Sequence, residues 1–206
     1  MRNETHPKSV SFCAVMVLFC SSCTLAANSV IAGSSGISPP LFMNYSFFGL
    51  GPNIERAFPF TATSGGPYYL EEIQVAVFTF QLSGDTSANF TIYTDNAGKP
   101  GESIASFELE SLTMTQQVLT IPATEETILN SGACYWIAGT APVASINWNL
   151  DKTALGTTAY RANEGDWVVQ ACWNVGAFEI LGSPVPEPAT LLLLGLGAAI
   201  VSRRRK

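Results

Sequence analysis

Three pairs of carboxylates, each close together in sequence, are the residues most able to do hydrolytic chemistry. They are Glu71 with Glu72, Glu108 with Glu110, and Glu125 with Glu126. A glycoside hydrolase needs two carboxyl groups that face one sugar at about 5 to 9.5 Å from each other. Adjacent strand residues point to opposite faces, so the first pair does not converge, and the second pair shares a face that is more simply a solvated one. We therefore expect no catalytic residue and no enzyme activity.

Oxygen-bearing side chains in the turns could in principle bind Ca²⁺. They are Asp95 and Asn96 with Glu102 after them, and Asp151 and Asp166 further along the chain, in predicted loops. Asp and Asn are also common turn residues, because their side chains accept hydrogen bonds from nearby backbone amides. No dense alternating acidic loop is present in the sequence. The turn interpretation is favoured, and we expect no metal and no cofactor.

Histidine and basic residues are scarce, which excludes several classes of function. The one histidine is His6, in a segment that we expect to be removed. Without histidine the mature chain has no Ser-His-Asp triad, no Cys-His dyad and no imidazole metal site. Residues 27–202 contain fifteen acidic and four basic side chains, a net charge of −11. Such a surface repels phosphate backbones, so nucleic acid is not an expected partner.

Aromatic side chains could instead form a platform for sugar rings, because an aromatic face packs against C–H bonds. The four tryptophans are Trp136, Trp148, Trp167 and Trp173. Most of them are expected in the core, since Trp148 alternates with Ile146 and Leu150 in a strand pattern. Trp148 and Trp167, both near polar loop residues, are the candidates for ligand binding. Extracellular polysaccharide is the ligand that they would take.

The elements that position these residues are predicted to be β-strands. Short segments rich in β-branched and aromatic residues alternate with turn signals, as in an all-β sandwich. Strands are predicted at residues 68–82, 88–95, 104–110, 115–122, 134–142, 145–150, 158–162 and 167–181, with an early strand near 42–48. Both faces of the strand at 68–82 become apolar toward its end, which indicates a central position. Residues 124–132 could form one short turn of helix that ends at Gly132.

We therefore predict an antiparallel, jelly-roll-like β-sandwich over residues 55–182. Residues 28–54 are rich in Ser, Gly and Pro, which favours an exposed entry segment before the sandwich. The predicted fold class is all-β, flanked by an N-terminal signal peptide and a C-terminal transmembrane helix.

The N-terminus has the organisation of a secretory signal peptide. Arg2 and Lys8 form a charged lead, nine apolar residues run from 12 to 20, and small residues then precede a cleavage site after Ala26 or Ala27. Nine apolar residues are far short of the about 20 that a spanning helix needs, which disfavours a membrane anchor. A lipoprotein acylated at Cys23 would need a leucine three residues upstream, which is absent. We predict a signal peptide at 1–27, with the Sec translocon and signal peptidase as partners.

Cleavage there would leave Cys134 and Cys172 of the five cysteines. In an oxidising compartment two cysteines most simply form one disulfide. It would close a loop of about 39 residues and contribute about 3 to 4 kcal/mol in the chain-entropy model. Two buried free thiols are the alternative, and the disulfide is favoured.

The C-terminus combines a short apolar stretch with a cluster of positive charges. Residues 189–202 carry no charge, and as a helix they would cover about 21 Å of a hydrocarbon core of about 30 Å. Arg203, Arg204, Arg205 and Lys206 follow, and their side chains can snorkel to lengthen the span. The positive-inside rule places these four cations in the cytoplasm. Everything before Pro184 would then lie outside the inner membrane.

Val185, Pro186, Glu187 and Pro188, followed by the apolar helix and the basic cluster, resemble a PEP-CTERM sorting signal over residues 184–206. In that family an exosortase, a membrane protease-transpeptidase of Gram-negative bacteria that make extracellular polysaccharide, reads the Pro-Glu-Pro motif. The resemblance implies that the tail is held transiently in the inner membrane and then removed. An ordinary tail anchor would explain the helix but not the Pro-Glu-Pro.

The middle of the chain resembles the choice-of-anchor β-sandwich domains that occur upstream of such tails. The segments that carry this likeness are residues 90–106, 129–139, 146–150 and 165–169. The resemblance implies a secreted domain without an assigned activity. We predict a non-catalytic protein of the cell surface or the exopolysaccharide matrix of a Gram-negative bacterium. An extracellular carbohydrate-binding module is the alternative, and a glycoside hydrolase is a weaker one.

Overall fold

The computed structural model describes residues 28–34, 37, 47–80, 86–110, 112–142 and 146–186, apart from the side chains of residues 152–154 and 172. Within these ranges the chain forms β-strands and no helix. The strands are β1 (Ser29–Gly33), β2 (Phe47–Leu50), β3 (Ile54–Thr61), β4 (Tyr68–Thr79), β5 (Ala88–Asp95), β6 (Pro100–Leu109), β7 (Gln117–Pro122), β8 (Ile128–Leu129), β9 (Cys134–Thr140), β10 (Ile146–Ala162), β11 (Val168–Gly176) and β12 (Phe178–Pro184). The all-β prediction is confirmed. The predicted signal peptide and terminal helix lie outside the described residues.

The strands form two layers whose pairings are antiparallel. In the first layer β1 pairs with β12 and β12 with β4, while β7 and β8 pair with the other side of β4. The second layer has the order β11-β10-β3-β9-β5-β6. The strand β4 is central, as predicted, and Ile73, Val75 and Val77 on its inner face have no exposed surface. The architecture fits a β-sandwich-like fold.

The two layers share β10, which is 17 residues long. Its first residues, from Ile146, pair with β2 and β4 in the first layer. Its later residues, up to Ala162, pair with β3 and β11 in the second layer. The sequence pattern predicted two separate strands here, because the stretch between them lacks apolar alternation. The structure corrects this to one strand that bends from one layer into the other.

The predicted single strand at residues 167–181 needs the opposite correction. It divides into β11, in the second layer, and β12, in the first. Ala177 lies between them, and its amide donates a hydrogen bond to the carbonyl of Asn149 at 2.8 Å. The chain crosses between the layers at this residue, and apolar periodicity does not mark such a crossing because both strands are apolar.

Aromatic rings fill the space between the layers. The ring of Trp148 on β10 meets Phe58 of β3, Phe90 of β5 and Phe178 of β12, with centroid distances of 4.8, 4.9 and 6.3 Å. All four side chains are at most 1% exposed. A Cβ at Gly176 would lie 2.6 Å from Phe58 and 2.7 Å from Trp148, so only glycine fits there. The core is therefore closely packed against the backbone of β11.

Two further predictions are also corrected. Residues 28–54 contain β1 and β2, and Ile31 and Leu50 are each 1% exposed, so the described part of this range is built into the sandwich. Residues 124–132 contain β8, paired with β4 at Tyr68 and Tyr69, and no helix. The strand β3 at Ile54–Thr61 was not predicted, because Arg56 and Pro59 interrupt its apolar pattern.

Candidate functional site

The outer face of the second layer has a floor of small residues. Ala159 of β10 lies opposite Ala57 of β3, which in turn lies opposite Ala138 of β9. Their neighbours Phe58 and Ile137 point into the core, so the alternation of strand side chains turns the three alanines outward. The alanines are nonetheless buried, because larger side chains lie over them.

We call the side chains around this floor the outer-face cluster: Glu55, Tyr93, Trp136, Arg161 and Trp167. The Tyr93 hydroxyl donates to Glu55 Oε1 at 2.8 Å, and Arg161 Nε donates to Glu55 Oε2 at 2.6 Å. Arg161 Nη2 also donates to the Tyr93 hydroxyl at 3.1 Å. The guanidinium lies 4.7 Å above the ring of Trp167, which meets Tyr93 edge-on. An ion pair, a phenol and an indole ring are thus coupled on one face.

The chemistry of Tyr93 follows from this burial. Desolvation, with the Glu55 carboxylate as the next cause, raises the pKa of Tyr93 to about 12. The phenol therefore stays protonated at neutral pH and remains a hydrogen-bond donor to Glu55. The Glu55–Arg161 pair is partly exposed, at 12% and 26% of the two side chains, so it meets solvent at the rim of the cluster.

Both carboxylate oxygens of Asp95 accept hydrogen bonds from nearby groups of the chain. Its Oδ1 accepts the indole N–H of Trp136 at 2.7 Å, and its Oδ2 accepts the amide of Gly98 at 3.2 Å. The turn interpretation of Asp95 is confirmed. Asp151, predicted in a loop, lies in β10 and is fully buried. Among the described residues no group of three or more His, Cys, Asp or Glu side chains could hold a metal ion.

The two tryptophans predicted to bind a ligand lie in different surroundings. Trp148 has no exposed surface, and its indole N–H donates to the carbonyl of Ala177 at 3.1 Å. A ring enclosed between the layers offers no face to a sugar, so the prediction for Trp148 is corrected. Trp167 is half-buried in the outer-face cluster, and the guanidinium of Arg161 lies over one face of its ring. Trp173, which the sequence reasoning passed over, is the most exposed tryptophan at 48%.

The carboxylate pairs lie in two parts of the structure, one exposed and one beside a cavity. Glu108 and Glu110 are exposed beside the end of β6. Glu71, which accepts a hydrogen bond from the Ser183 hydroxyl, lines a shallow cavity of about 440 Å³ together with Glu125 and Glu126. These three carboxylates come from β4 and from the loop after β7. Only the β4–β7 pairing, which the sequence did not predict, brings them to one place.

The predicted disulfide between Cys134 and Cys172 is wrong in this structure. Cys134 is a free, exposed thiol. Its strand β9 and the strand of Cys172, β11, are separated by β3 and β10. Three interstrand spacings amount to about 14 Å, whereas a disulfide needs Cα atoms within about 7 Å. Partial desolvation and the Asp95 carboxylate raise the pKa of the Cys134 thiol, which keeps it protonated at neutral pH.

The last strand of the domain leads directly into the C-terminal tail. Pro184, the final residue of β12, lies opposite Tyr68 at the start of β4. The amide of Val185 donates to the carbonyl of Pro67 at 2.9 Å, and Pro186 is exposed. Glu187, Pro188 and the basic cluster from Arg203 to Lys206 lie outside the described residues. Val185 is therefore the last residue seen to be tied to the domain.

Residues 184–206 match the PEP-CTERM protein-sorting motif. The motif indicates an exported surface protein that is sorted through the membrane-associated exosortase pathway, as its resemblance predicted. No curated protein matches the chain significantly. The match begins at the last residue of β12, so the PEP-CTERM motif and the folded domain meet without a spacer. Among the described residues, no helix has the length and apolar character needed to cross a membrane.

Proposed function

We propose that the β-sandwich is a non-catalytic structural or interaction domain of the surface or exopolysaccharide matrix of a Gram-negative cell. The observation that carries this proposal is the PEP-CTERM motif, which begins at the last residue of β12. In this proposal the chain crosses the inner membrane through the Sec translocon and loses residues 1–27 to signal peptidase. The tail then holds it briefly in the inner membrane, where exosortase removes the basic end.

The side chains of the domain support a non-catalytic role. The tryptophan and phenylalanine rings of the core pack against one another between the layers. In the outer-face cluster, Arg161 and Tyr93 donate hydrogen bonds to the carboxylate of Glu55. Beside the cluster, Trp136 and Gly98 donate hydrogen bonds to the carboxylate of Asp95. These acids already have partners, which leaves them poorly suited to proton transfer with a substrate.

Processing is tested with a single change in the sorting motif. Glu187→Gln keeps the size of the side chain but removes its charge, and Glu126→Gln makes the same change at an exposed site on the domain. Cells that express each variant are fractionated, and the protein is followed by immunoblot. We expect the unmodified chain and Glu126→Gln to reach the surface in a shortened form, and Glu187→Gln to stay in the membrane at precursor length. Normal shortening of Glu187→Gln would contradict the proposal.

A second candidate function, carbohydrate binding, is favoured by the outer-face cluster. Aromatic rings beside charged planar groups suit sugars, because the ring packs on C–H bonds while the charged groups exchange hydrogen bonds with hydroxyls. Trp167 lies beside the partly exposed Glu55–Arg161 pair, which provides this combination. Extracellular polysaccharide would be the ligand.

A glycan array with a calcium titration tests this candidate. Trp167→Ala should abolish any signal, and Phe80→Ala, which removes a ring that is 57% exposed on the other layer, should leave it unchanged. An array without signal, with and without calcium, would remove carbohydrate binding from consideration.

A further inference from the structure

Arg56 of β3 is an arginine without an anionic partner. It lies opposite Tyr160 of β10, and strand alternation turns its side chain to the inner side of the second layer, like that of Phe58. The Nε atom of Arg56 is buried without a hydrogen-bond partner, and among the described residues the side chain forms no ion pair. Burial lowers the pKa of the Arg56 guanidinium. A charge that loses water without gaining a partner costs free energy, so Arg56 is suited to a partner from outside the domain.

The absence of a partner for Arg56 is notable in an acidic protein. Acidic side chains outnumber basic ones in the chain by 16 to 10. Arg161 has its ion pair with Glu55. Glu164 and Asp166, in the turn that follows β10, are exposed and form no ion pair with Arg56. The positive charge of Arg56 is therefore left for an anion that the described part of the chain does not supply.

Aromatic rings lie beside the guanidinium on this inner side. The Cζ atom of Arg56 is 4.5 Å from the centroid of the Phe48 ring, and that centroid is 6.1 Å from the centroid of the Trp173 ring. Phe48 is buried, whereas Trp173 is 48% exposed. The Phe48 ring therefore contacts both an unpaired cation and an indole ring that is open to solvent.

The register between β10 and β11 adds hydrogen-bonding side chains to the same side. Trp173 and Gln170 lie opposite Gly156 and Thr158, which are alternate residues of β10. Because paired residues share a face of the sheet, Trp173 and Gln170 face the inner side together with Tyr160. A register shift between the two pairs makes this possible, since β11 has one extra residue there. The half-buried phenol of Tyr160 and the half-buried amide of Gln170 thus lie on the side of the exposed indole.

We propose that Arg56, Tyr160, Gln170 and Trp173 form a binding site for a ligand that carries one carboxylate beside a ring. The two Nη atoms of Arg56 donate paired hydrogen bonds to the carboxylate, and the indole face of Trp173 packs on the ring. Tyr160 and Gln170 exchange hydrogen bonds with the polar substituents of the ligand. This site lies on the opposite side of the second layer from the outer-face cluster, and it depends neither on that cluster nor on sorting.

The charge and shape of the site favour a carboxylate over other anions. The planar guanidinium fork of an arginine matches a planar carboxylate, and one positive charge balances one negative charge. A phosphate monoester would bring a second negative charge to a domain whose residues 27–202 already carry −11. Sugar acids and aromatic acids both combine a carboxylate with a ring, so either is a source of the required chemistry.

An NMR titration of the full chain in mild detergent tests the site. The probes are glucuronate, a sugar acid, and benzoate, an aromatic acid, and the controls are glucose, which is neutral, and sulfate, which is not planar. We expect at least one acid to shift the indole N–H signal of Trp173 until saturation, while the signal of the buried Trp148 stays in place. Both controls should leave the Trp173 signal unchanged. Saturation at a lower concentration of glucuronate than of benzoate assigns a sugar acid as the ligand, and the reverse order assigns an aromatic acid.

Three variants test the role of the guanidinium. Arg56→Met should weaken binding of the effective acid by about tenfold or more, and Arg56→Lys, which keeps the charge but loses the planar fork, should weaken it less. Arg161→Met changes the arginine of the outer-face cluster and should bind as the unmodified chain does. Arg56→Met should unfold at the same urea concentration as the unmodified chain or a higher one, because it removes an unpaired charge. The proposal is overturned if neither acid shifts the Trp173 signal, if sulfate shifts it equally, or if Arg56→Met binds as tightly as the unmodified chain.

Discussion

The two faces of the second layer are buried by different means. On the inner face Phe58 and Phe90 meet other aromatic rings and have at most 1% exposure. On the outer face Trp136 and Tyr93 are also buried, but each donates a hydrogen bond to a carboxylate. The indole N–H of Trp136 donates to Asp95, and the hydroxyl of Tyr93 donates to Glu55. Burial on the inner face depends on volume, and burial on the outer face depends on hydrogen-bond partners. Different perturbations should therefore destabilise the two faces.

The largest expected effect comes from removing the ring at the centre of the inner face. Trp148→Ala leaves a cavity among Phe58, Phe90 and Phe178, and we expect it to lower the free energy of unfolding by about 3 to 5 kcal/mol. Urea denaturation followed by far-ultraviolet circular dichroism measures this. The matched variant Trp173→Ala removes a ring that is 48% exposed and should cost clearly less. Equal losses in the two variants would mean that Trp148 is not the centre of the core.

The outer face should respond to alkaline pH. The pKa of Tyr93 is raised to about 12 in the folded chain, against about 10 for a tyrosine in an unfolded chain. The folded state thus binds the phenolic proton more tightly, so this contribution is present below pH 10 and is lost as the pH rises toward 12. The loss is of the order of 2 to 3 kcal/mol. Denaturation curves across this range should fall steeply for the unmodified chain and less steeply for Tyr93→Phe. The same slope in Tyr93→Phe and in the control Tyr69→Phe would show that Tyr93 is not the group that titrates.

A smaller effect is expected from the ion pair of the outer face. Glu55→Gln removes the charge that Arg161 and Tyr93 share, and the partial exposure of the pair limits the loss to about 1 to 2 kcal/mol. A double-mutant cycle with Arg161→Met isolates the coupling between the two side chains. Glu126→Gln, on an exposed loop, should change stability by less than about 0.5 kcal/mol. A coupling energy near zero would show that the Glu55–Arg161 ion pair does not stabilise the fold.

The smallest effect should come from Cys134→Ala. As an exposed free thiol, Cys134 should contribute less than about 0.5 kcal/mol. A disulfide that closes a loop of about 39 residues would instead contribute about 3 to 4 kcal/mol. A second readout is alkylation of the unreduced, unfolded chain followed by mass measurement. We expect Cys134 to be modified. Resistance to alkylation before reduction, together with a large loss of stability in Cys134→Ala, would restore the disulfide.

Local pattern was sufficient to predict the all-β class, the central position of β4 and the turn at Asp95. These features depend on alternation and on turn residues within about ten neighbouring positions. The missed features depend on contacts between distant parts of the chain. The strand β3 carries Arg56 and Pro59 on an interrupted pattern, and it becomes a strand because β9 and β10 pair with both of its edges.

The candidate site shows the same division between local and distant information. Trp167 was a candidate for ligand binding because it stands beside polar loop residues in the sequence, and the structure places it, half-buried, in the outer-face cluster. Its partners Tyr93 and Arg161 are far apart in sequence, and only the strand order brings them together. The prediction of the disulfide was wrong for the same reason, because the number of cysteines does not show how many strands lie between them. The sorting motif could be predicted without knowledge of the fold, since its residues are contiguous in the sequence.

Sorting through the C-terminal tail is the central claim, and intact mass spectrometry tests it most directly. Protein is recovered from the culture medium and from membranes of cells with and without the exosortase. We expect a mature species that begins near residue 27, ends near Pro186 and forms only when the enzyme is present, with any excess mass identifying the attached group. A species that retains Arg203 to Lys206 in both strains would contradict the claim and make the tail a permanent anchor.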